Sequence, residues 1–156
     1  MTERKIVRRA IKKQMNRAYR WQFHFNAMHN MTPEREEGKH THSFLVILCM
    51  EVEYMDLDAQ NSCEKELKQY LEQYNGKYLN EMEQFQNVIP TIETICEILY
   101  VDTERIAASY GMEQIQIEVG DSPVALFAMG KKLLLGGSYS PVSDEKYEEY
   151  REKLGK

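Results

Sequence analysis

Residues 19–29 have the sequence YRWQFHFNAMH, and residues 40–50, after a short loop, have the sequence HTHSFLVILCM. In the first stretch, from 19 to 27, aromatic and apolar residues alternate with polar ones, which is the period of a half-buried β-strand. The second stretch opens a run rich in Val, Ile, Leu and Phe that predicts a longer strand over residues 40–54. Pro33 and Gly38 mark the intervening segment as a turn-rich loop. Two strands joined by a loop are therefore the predicted start of the domain.

Two helices and a second pair of strands follow along the chain. Apolar side chains from Leu67 to Tyr74 recur at helical spacing, and Asn75-Gly76 is a stop signal. Pro90-Thr91 opens a second helix, with Thr91 as its predicted N-cap, which runs to about Tyr100 or further. Residues 115–119 and 124–129 are predicted to be the third and fourth strands. Strands, then helices, then strands predict an α+β fold with a four-stranded sheet.

The ends of the chain differ from the middle in charge. Residues 1–20 contain eight Lys or Arg and one Glu, so they carry +7 and the remainder carries −12 of the net charge of −5. Residues 3–18 are predicted to form a basic amphipathic helix, either solvated and docked on the domain or bound to an anionic lipid, ligand or partner. Residues 144–154 are predicted to form a short charged helix. The predicted organisation is an extension at 1–18, a domain at 19–130 and a tail at 131–156.

Composition excludes several classes of protein. The longest apolar run, residues 44–50, is far shorter than the roughly 20 residues of a membrane-spanning helix, and no apolar stretch follows the basic N-terminus as in a secretory signal. The three cysteines are scattered, which fits neither a disulfide framework nor a Cys-based zinc motif. The expected location is the cytoplasm. Binding of nucleic acid by the main domain is not expected, because the basic charge is confined to one end.

Three of the four histidines lie where a metal site would place them. His40 and His42 are two residues apart at the start of a strand, so their side chains point to the same face. His29 lies just after the preceding strand, close enough across a hairpin to join them. Three neutral imidazoles would hold zinc and leave a fourth position open, as in catalytic sites. On spacing alone, three unrelated histidines are an equal alternative, because an H-x-H pair is common.

The order of short motifs over residues 19–130 resembles the 6-pyruvoyltetrahydropterin and 6-carboxytetrahydropterin synthases. The segment FHFNAMH at 23–29 followed by HTHSF at 40–44 resembles their metal-binding signature, which usually has the form H…HGH. MDLD at 55–58 resembles the segment that opens the first helix of the family. KYLN at 77–80 resembles the end of "LDHKYLN", and PTIET at 90–94 resembles "PTxEN". Each piece is weak alone, but order and distances agree throughout.

The resemblance implies the tunnelling fold, in which a four-stranded antiparallel sheet with two helices on one face assembles into a ring with active sites between subunits. Exposed sheet edges would be paired in such a homo-oligomer. It also implies zinc bound by His29, His40 and His42, and lyase-type chemistry on a dihydropterin triphosphate. Thr91 and Glu118 are the candidate substrate-binding residues. If strand alternation fixes the alignment, however, the glutamate that binds the pterin in the family corresponds to Val119. The side chain of Glu118 would then point to the opposite face of the sheet unless a β-bulge intervenes.

The chain departs from the family at the positions that carry the chemistry. Glu36 stands where the catalytic Cys commonly lies, four residues before His40, and is the candidate base. Asn75-Gly76 replaces the Asp-His pair, and neither residue can relay a proton. Two functions remain open: an active zinc lyase with Glu36 as its base, or a catalytically degenerate family member that keeps the metal and acts as a binding or scaffolding protein.

Overall fold

Two long antiparallel strands form the centre of the fold in the computed structural model, which describes residues 2–6, 18–52, 56–122 and 124–133. Strand β1 (Ala18–Asn30) pairs with strand β2 (Lys39–Glu51) along its whole length, from Ala18 opposite Glu51 to Asn30 opposite Lys39. The connection contains one 3-10 turn, Glu36–Gly38. The predicted pair of strands is confirmed, and both are held by one continuous ladder.

Across the described segments, the sheet has five strands in the order β3-β1-β2-β4-β5. Strands β4 (Glu113–Ser122) and β5 (Ala125–Gly130) are the predicted third and fourth strands. The four-strand prediction missed β3 (Lys77–Tyr78), which pairs in parallel with Ala27 and Met28 of β1. Two residues are too few to show any periodicity, so only pairing with a distant strand can define such an element.

Helix α1 (Leu57–Glu72) and helix α2 (Ile92–Ser109) begin at side-chain caps. The carboxylate of Asp56 accepts hydrogen bonds from the N–H groups of Asp58 and Ala59, and the Thr91 hydroxyl accepts one from Thr94. The predicted cap at Thr91 is confirmed. Helix α2 continues beyond Tyr100 because Thr103 and Ala107 extend the buried face that begins at Ile95.

The core lies between one face of the sheet and the two helices. Even-numbered residues of β2, odd-numbered residues of β1, and Ile117 and Val119 of β4 point into it, as the alternation of a strand requires. A register shift at the step from Cys49 to Met50 makes Gln114 the partner of the core residue Met50. Phe25 stacks on Phe44 with ring centroids 5.2 Å apart, and Tyr74 packs on Phe25 at 5.6 Å. The helices contribute the buried side chains Cys63, Leu67, Leu71, Ile95, Cys96, Leu99 and Ala107. This arrangement is the predicted α+β class, and it fixes the strand ends that carry the histidines.

The helices predicted at the two ends of the chain are tested only in part. Residues 3–6 are helical, but Ala18 is the first residue of β1, so the predicted helix over 3–18 is too long at its end. Ala18 is held in the ladder opposite Glu51 instead. Most of the basic segment and the helix predicted at 144–154 lie outside the described residues. The three-part organisation and an anionic partner for the basic segment therefore remain predictions. Within the described ranges, no helix is long and apolar enough to span a bilayer.

Candidate metal centre

His29, His40 and His42 converge at one end of the central strand pair. His29 lies directly opposite His40, and Ala27 lies opposite His42, so register alone places all three imidazoles on one face. Ring centroids are 4.4 Å apart for His29 and His40, 4.6 Å for His40 and His42, and 5.2 Å for His29 and His42. Their candidate ligand atoms lie within 4.8 Å of one another. His29 was predicted to follow its strand, but it lies within β1, because pairing continues to Asn30.

Backbone carbonyl groups orient two of the rings. The Nδ1 atom of His29 lies 2.7 Å from the Pro90 carbonyl oxygen, and Nδ1 of His40 lies 2.7 Å from that of Gly38. An N–H donated from Nδ1 leaves Nε2 as the free nitrogen of a neutral ring, the usual support for a metal-binding histidine. The Nε2 atom of His29 is buried and has no hydrogen-bond partner in the described part of the chain. A metal ion would satisfy that buried nitrogen.

Burial favours the uncharged form of His29. Its side chain is fully buried, and the loss of solvation is the main cause that lowers the pKa of its imidazole. His40 and His42 lower the pKa further, while the Pro90 carbonyl and Asp121 oppose the shift. Because a metal ligand must be an unprotonated imidazole, this lowered pKa suits binding of a cation at neutral pH.

One side of the centre is apolar and the other is accessible to solvent. The ring of Phe44 lies beneath His29 and His42, with centroid separations of 5.3 and 5.9 Å. On the accessible side, Oδ2 of Asp121 lies 3.7 Å from Nε2 of His42, and the two side chains are 22% and 31% exposed. The residues thus fit a metal ion held by three imidazoles and reachable from solvent, which is the arrangement of a catalytic site.

Local sequence patterns do not identify the residues that support the centre. Asn80 accepts a hydrogen bond from the N–H of Asn30 and donates one to its carbonyl oxygen, both at 2.8 Å. Its side-chain amide therefore pairs with both backbone groups of Asn30, as a neighbouring strand would, and fixes the backbone next to His29. Asn80 and Pro90 are 50 and 61 positions from their partners, so no local pattern could identify them. Asp121 lies near the end of β4, two residues after the buried Val119.

Glu36 lies in the turn that holds His40. It is the first residue of the 3-10 turn Glu36–Gly38, and its side chain is exposed. Gly38, the last residue of the same turn, supplies the carbonyl oxygen that contacts His40. A Cβ atom at Gly38 would lie 2.3 Å from the Thr32 hydroxyl oxygen, so the turn packs tightly only with glycine there. The role of Glu36 as base remains a prediction.

The two predicted substrate-binding residues lie in different surroundings. Thr91 directly follows Pro90, and its hydroxyl both accepts from the Thr94 N–H and donates to the Thr94 hydroxyl at 3.0 Å. Glu118 pairs with Ile47 across the ladder, on the sheet face opposite the histidines, and accepts a hydrogen bond from Arg20 at 3.0 Å. The structure does not bring Glu118 to the three imidazoles of this chain. Substrate binding by either residue remains a prediction.

Asn75-Gly76, which replaces the Asp-His pair, has a structural role. The Asn75 side chain accepts a hydrogen bond from the N–H of Asn26 at 2.9 Å, and the N–H of Gly76 donates to the Asn26 carbonyl oxygen at 2.6 Å. Gly76 has φ +73°, a backbone conformation that favours glycine. The fourth histidine, His24, is exposed and lines a separate surface groove of about 230 Å³ beside Glu64 and Glu72.

Comparisons with known proteins agree with this architecture. The family model described as 6-pyruvoyl tetrahydropterin synthase matches residues 18–131. Comparison with curated proteins gives no match. A 6-pyruvoyl tetrahydropterin synthase from Caenorhabditis elegans superposes with a TM-score of 0.62 at 13% identity, covering 74% of this chain and 96% of that one. An uncharacterized protein from Wolinella succinogenes superposes at 0.58, also with 13% identity, covering 76% and 100%.

The family match includes both central strands, the three histidines and both helices, and it ends just after β5. At 13% identity the two superpositions establish the fold alone. The family match covers well over half of the chain, and the fold and the order of its elements support it. The chain belongs to the 6-pyruvoyl tetrahydropterin synthase family.

Proposed function

We propose that this protein is a zinc-dependent lyase that acts on the side chain of a dihydropterin triphosphate. The observation that carries the proposal is the buried Nε2 atom of His29, which lacks a hydrogen-bond partner among the described residues and faces two further imidazoles. A buried polar atom without a partner is costly, and a cation shared by three rings removes that cost. An all-nitrogen site of this kind favours zinc among the commonly available divalent ions.

Each residue around the centre has a defined task in this proposal. When bound, zinc would supply Lewis-acid polarisation of a substrate oxygen. His29, His40 and His42 hold the ion, and the carbonyl groups of Pro90 and Gly38 keep two of the rings in place. Glu36 removes a proton from the substrate side chain, since the turn that carries it also positions His40. General acid–base catalysis of this type contributes about 10²–10⁴-fold.

We also propose that the protein works as a homo-oligomer with sites between subunits. Strand β5 stands last in the sheet order, so one edge of its backbone has no neighbouring strand among the described elements. Val124, at the turn into β5, is 90% exposed. Unpaired edges are usually protected or paired with another chain, and closed rings pair them. Light scattering on the purified protein would measure the mass of the assembly.

Metal content is the first test of the proposal. Elemental analysis of the purified protein should give about one zinc per chain, and the double variant His40→Ala, His42→Ala should lose it. Absence of metal in a folded parent protein would overturn the zinc assignment. The matched control is His24→Ala, because that histidine is exposed and lies at the separate groove.

Turnover is the second test. Zinc-loaded protein is incubated with dihydroneopterin triphosphate, and the pterin products are separated and identified by mass. We expect the pterin side chain to be converted. The rate of this conversion should fall by at least 10²-fold in Glu36→Gln and stay unchanged in Glu37→Gln, the neighbouring residue in the same turn. If the loaded parent gives no product, the lyase proposal fails, and the protein is better explained as a metal-containing binding or scaffolding member of the family.

A further inference from the structure

A β-bulge near the end of β4 sets the position of Asp121. Val119 lies opposite Phe127 and Ser122 lies opposite Ala125, so two residues of β4 face the single residue Leu126 of β5. A Cβ atom at Gly120 would lie 2.5 Å from the Leu126 side chain and 2.8 Å from the Ala125 carbonyl oxygen. Only glycine allows this close approach, and the bulge redirects the residue that follows it.

Asp121 lies on the same face of the sheet as the histidines. The last pair in the ladder between β2 and β4 is Leu45 with Gly120, both on the opposite face. Asp121 follows Gly120 within the bulge, and its carboxylate approaches His42 on the face that carries the histidines. The bulge and the conformation of the side chain together set this approach.

The separation of Asp121 and His42 fits two ligands of one ion better than a hydrogen bond. Oδ2 of Asp121 lies 3.7 Å from Nε2 of His42, beyond the hydrogen-bond range of about 2.7–3.2 Å. Two neighbouring ligands at about 2.0–2.1 Å from a tetrahedral zinc ion are about 3.4 Å apart. The carboxylate is not among the atoms that lie within 4.8 Å of one another, so a rotation of the side chain is needed to bring it to the ion.

From this geometry we infer that Asp121 is a fourth ligand of the metal centre. The inference rests on the proposed metal site formed by the three histidines. It makes the resting centre a closed site of three imidazoles and one carboxylate, which a substrate oxygen must open by displacing Asp121. The negative charge of a carboxylate ligand also neutralises one of the two positive charges of the ion, which strengthens binding of the ion in a partly buried site.

The simplest alternative is an ion pair between Asp121 and a protonated His42. The two explanations predict different effects of Asp121 on the affinity for zinc, which is compared at pH 8. Metal affinity is measured at that pH by competition with a chromophoric chelator, using zinc alone as the probe. The variants are Asp121→Ala and, as a matched control, Asp58→Ala, an exposed carboxylate in the first turn of α1.

We expect the affinity of Asp121→Ala for zinc to be at least tenfold weaker than that of the parent, and Asp58→Ala to match the parent. The visible absorption of the cobalt-substituted protein should also change in Asp121→Ala, because ligand identity sets those bands. Equal affinity in parent and Asp121→Ala overturns the inference, as does weaker binding with an unchanged cobalt spectrum. A parent protein that binds no zinc overturns the metal centre itself, which separates the two failures.

Discussion

The Nδ1 atom of His29 lies 2.7 Å from the carbonyl oxygen of Pro90, 61 positions further along the chain. This contact joins the end of β1 to the residue that precedes the Thr91 cap of α2. The same imidazole is the most deeply buried of the three candidate ligands. One hydrogen bond therefore links the packing of a helix to the orientation of a candidate metal-binding ring.

Substitution of His29 should weaken both metal binding and stability. In His29→Ala the Pro90 carbonyl group loses its donor, so the free energy of unfolding of the metal-free protein should fall by about 1–3 kcal/mol. Zinc-dependent stabilisation, measured as the shift in Tm on adding zinc, should disappear. In His24→Ala the shift should equal that of the parent; its loss there would contradict the assignment.

Asn80 should stabilise the centre through its hydrogen bonds to the backbone of Asn30. Asn80→Ala removes both hydrogen bonds to the backbone of Asn30, and we expect a loss of about 1–3 kcal/mol in the free energy of unfolding. Because Asn30 is next to His29, zinc affinity should fall as well. Chemical denaturation and chelator competition measure the two effects. Gln84→Ala, which removes one exposed side-chain hydrogen bond to Gln73, should change neither quantity.

The left-handed backbone at Gly76 predicts a graded effect of substitution. With φ +73° and no atom within 4 Å of the place that a Cβ would take, Gly76→Ala meets strain rather than a clash. We expect a loss of about 1–2 kcal/mol in the free energy of unfolding. Asn tolerates this conformation better than Ala, so Gly76→Asn should cost less. Equal losses in both variants, measured by urea denaturation, would argue against backbone strain as the cause.

Glu118 should be separable from the metal centre. Because it pairs with Arg20 on the opposite face of the sheet, Glu118→Gln should leave the zinc affinity of the protein unchanged. Turnover of a dihydropterin triphosphate tests its predicted role in substrate binding. A rise in KM with unchanged metal affinity would support that role, whereas unchanged KM and kcat would remove Glu118 from the site.

Cysteine chemistry gives a prediction for high pH. Burial raises the pKa of the Cys96 thiol to about 12 and that of Cys63 to about 11, from an ordinary value of 9.0. The folded state then retains protons that the unfolded thiols release, so the free energy of unfolding should fall as pH rises above about 9, by up to about 1.4 kcal/mol per pH unit for each thiol. Denaturation midpoints between pH 8 and 10.5 measure the slope.

The same burial should protect these thiols from reagents. All three cysteines are buried, so alkylation at pH 8.5 should be slow in buffer and rapid in denaturant. Cys96→Ala provides the control for the pH effect, because its stability should decline less steeply above pH 9 than that of the parent. An identical slope would show that Cys96 is not responsible.

Elements that repeat with a local period could be predicted from the amino-acid sequence. Alternation over residues 19–27 predicted β1, helical spacing predicted α1 and α2, and Thr91 was correctly predicted as a cap. The H-x-H spacing placed His40 and His42 on one face, and alternation correctly predicted that Glu118 points to the other. Each of these features depends on residues a few positions apart, so the local sequence pattern is enough to predict it.

Contacts between groups that are distant in the sequence could not be predicted in this way. The two-residue strand β3, the Asn80 contact with Asn30 and the Pro90 contact with His29 each join positions about 50 or 60 residues apart. A bulge was considered near Glu118; the register of β4 shifts at Ile115 and again at Gly120 and Asp121, and Glu118 stays opposite Ile47, on the face away from the histidines. Such contacts depend on register and on how helices pack against the sheet. Those quantities are set by burial of the whole core, and no local period encodes them.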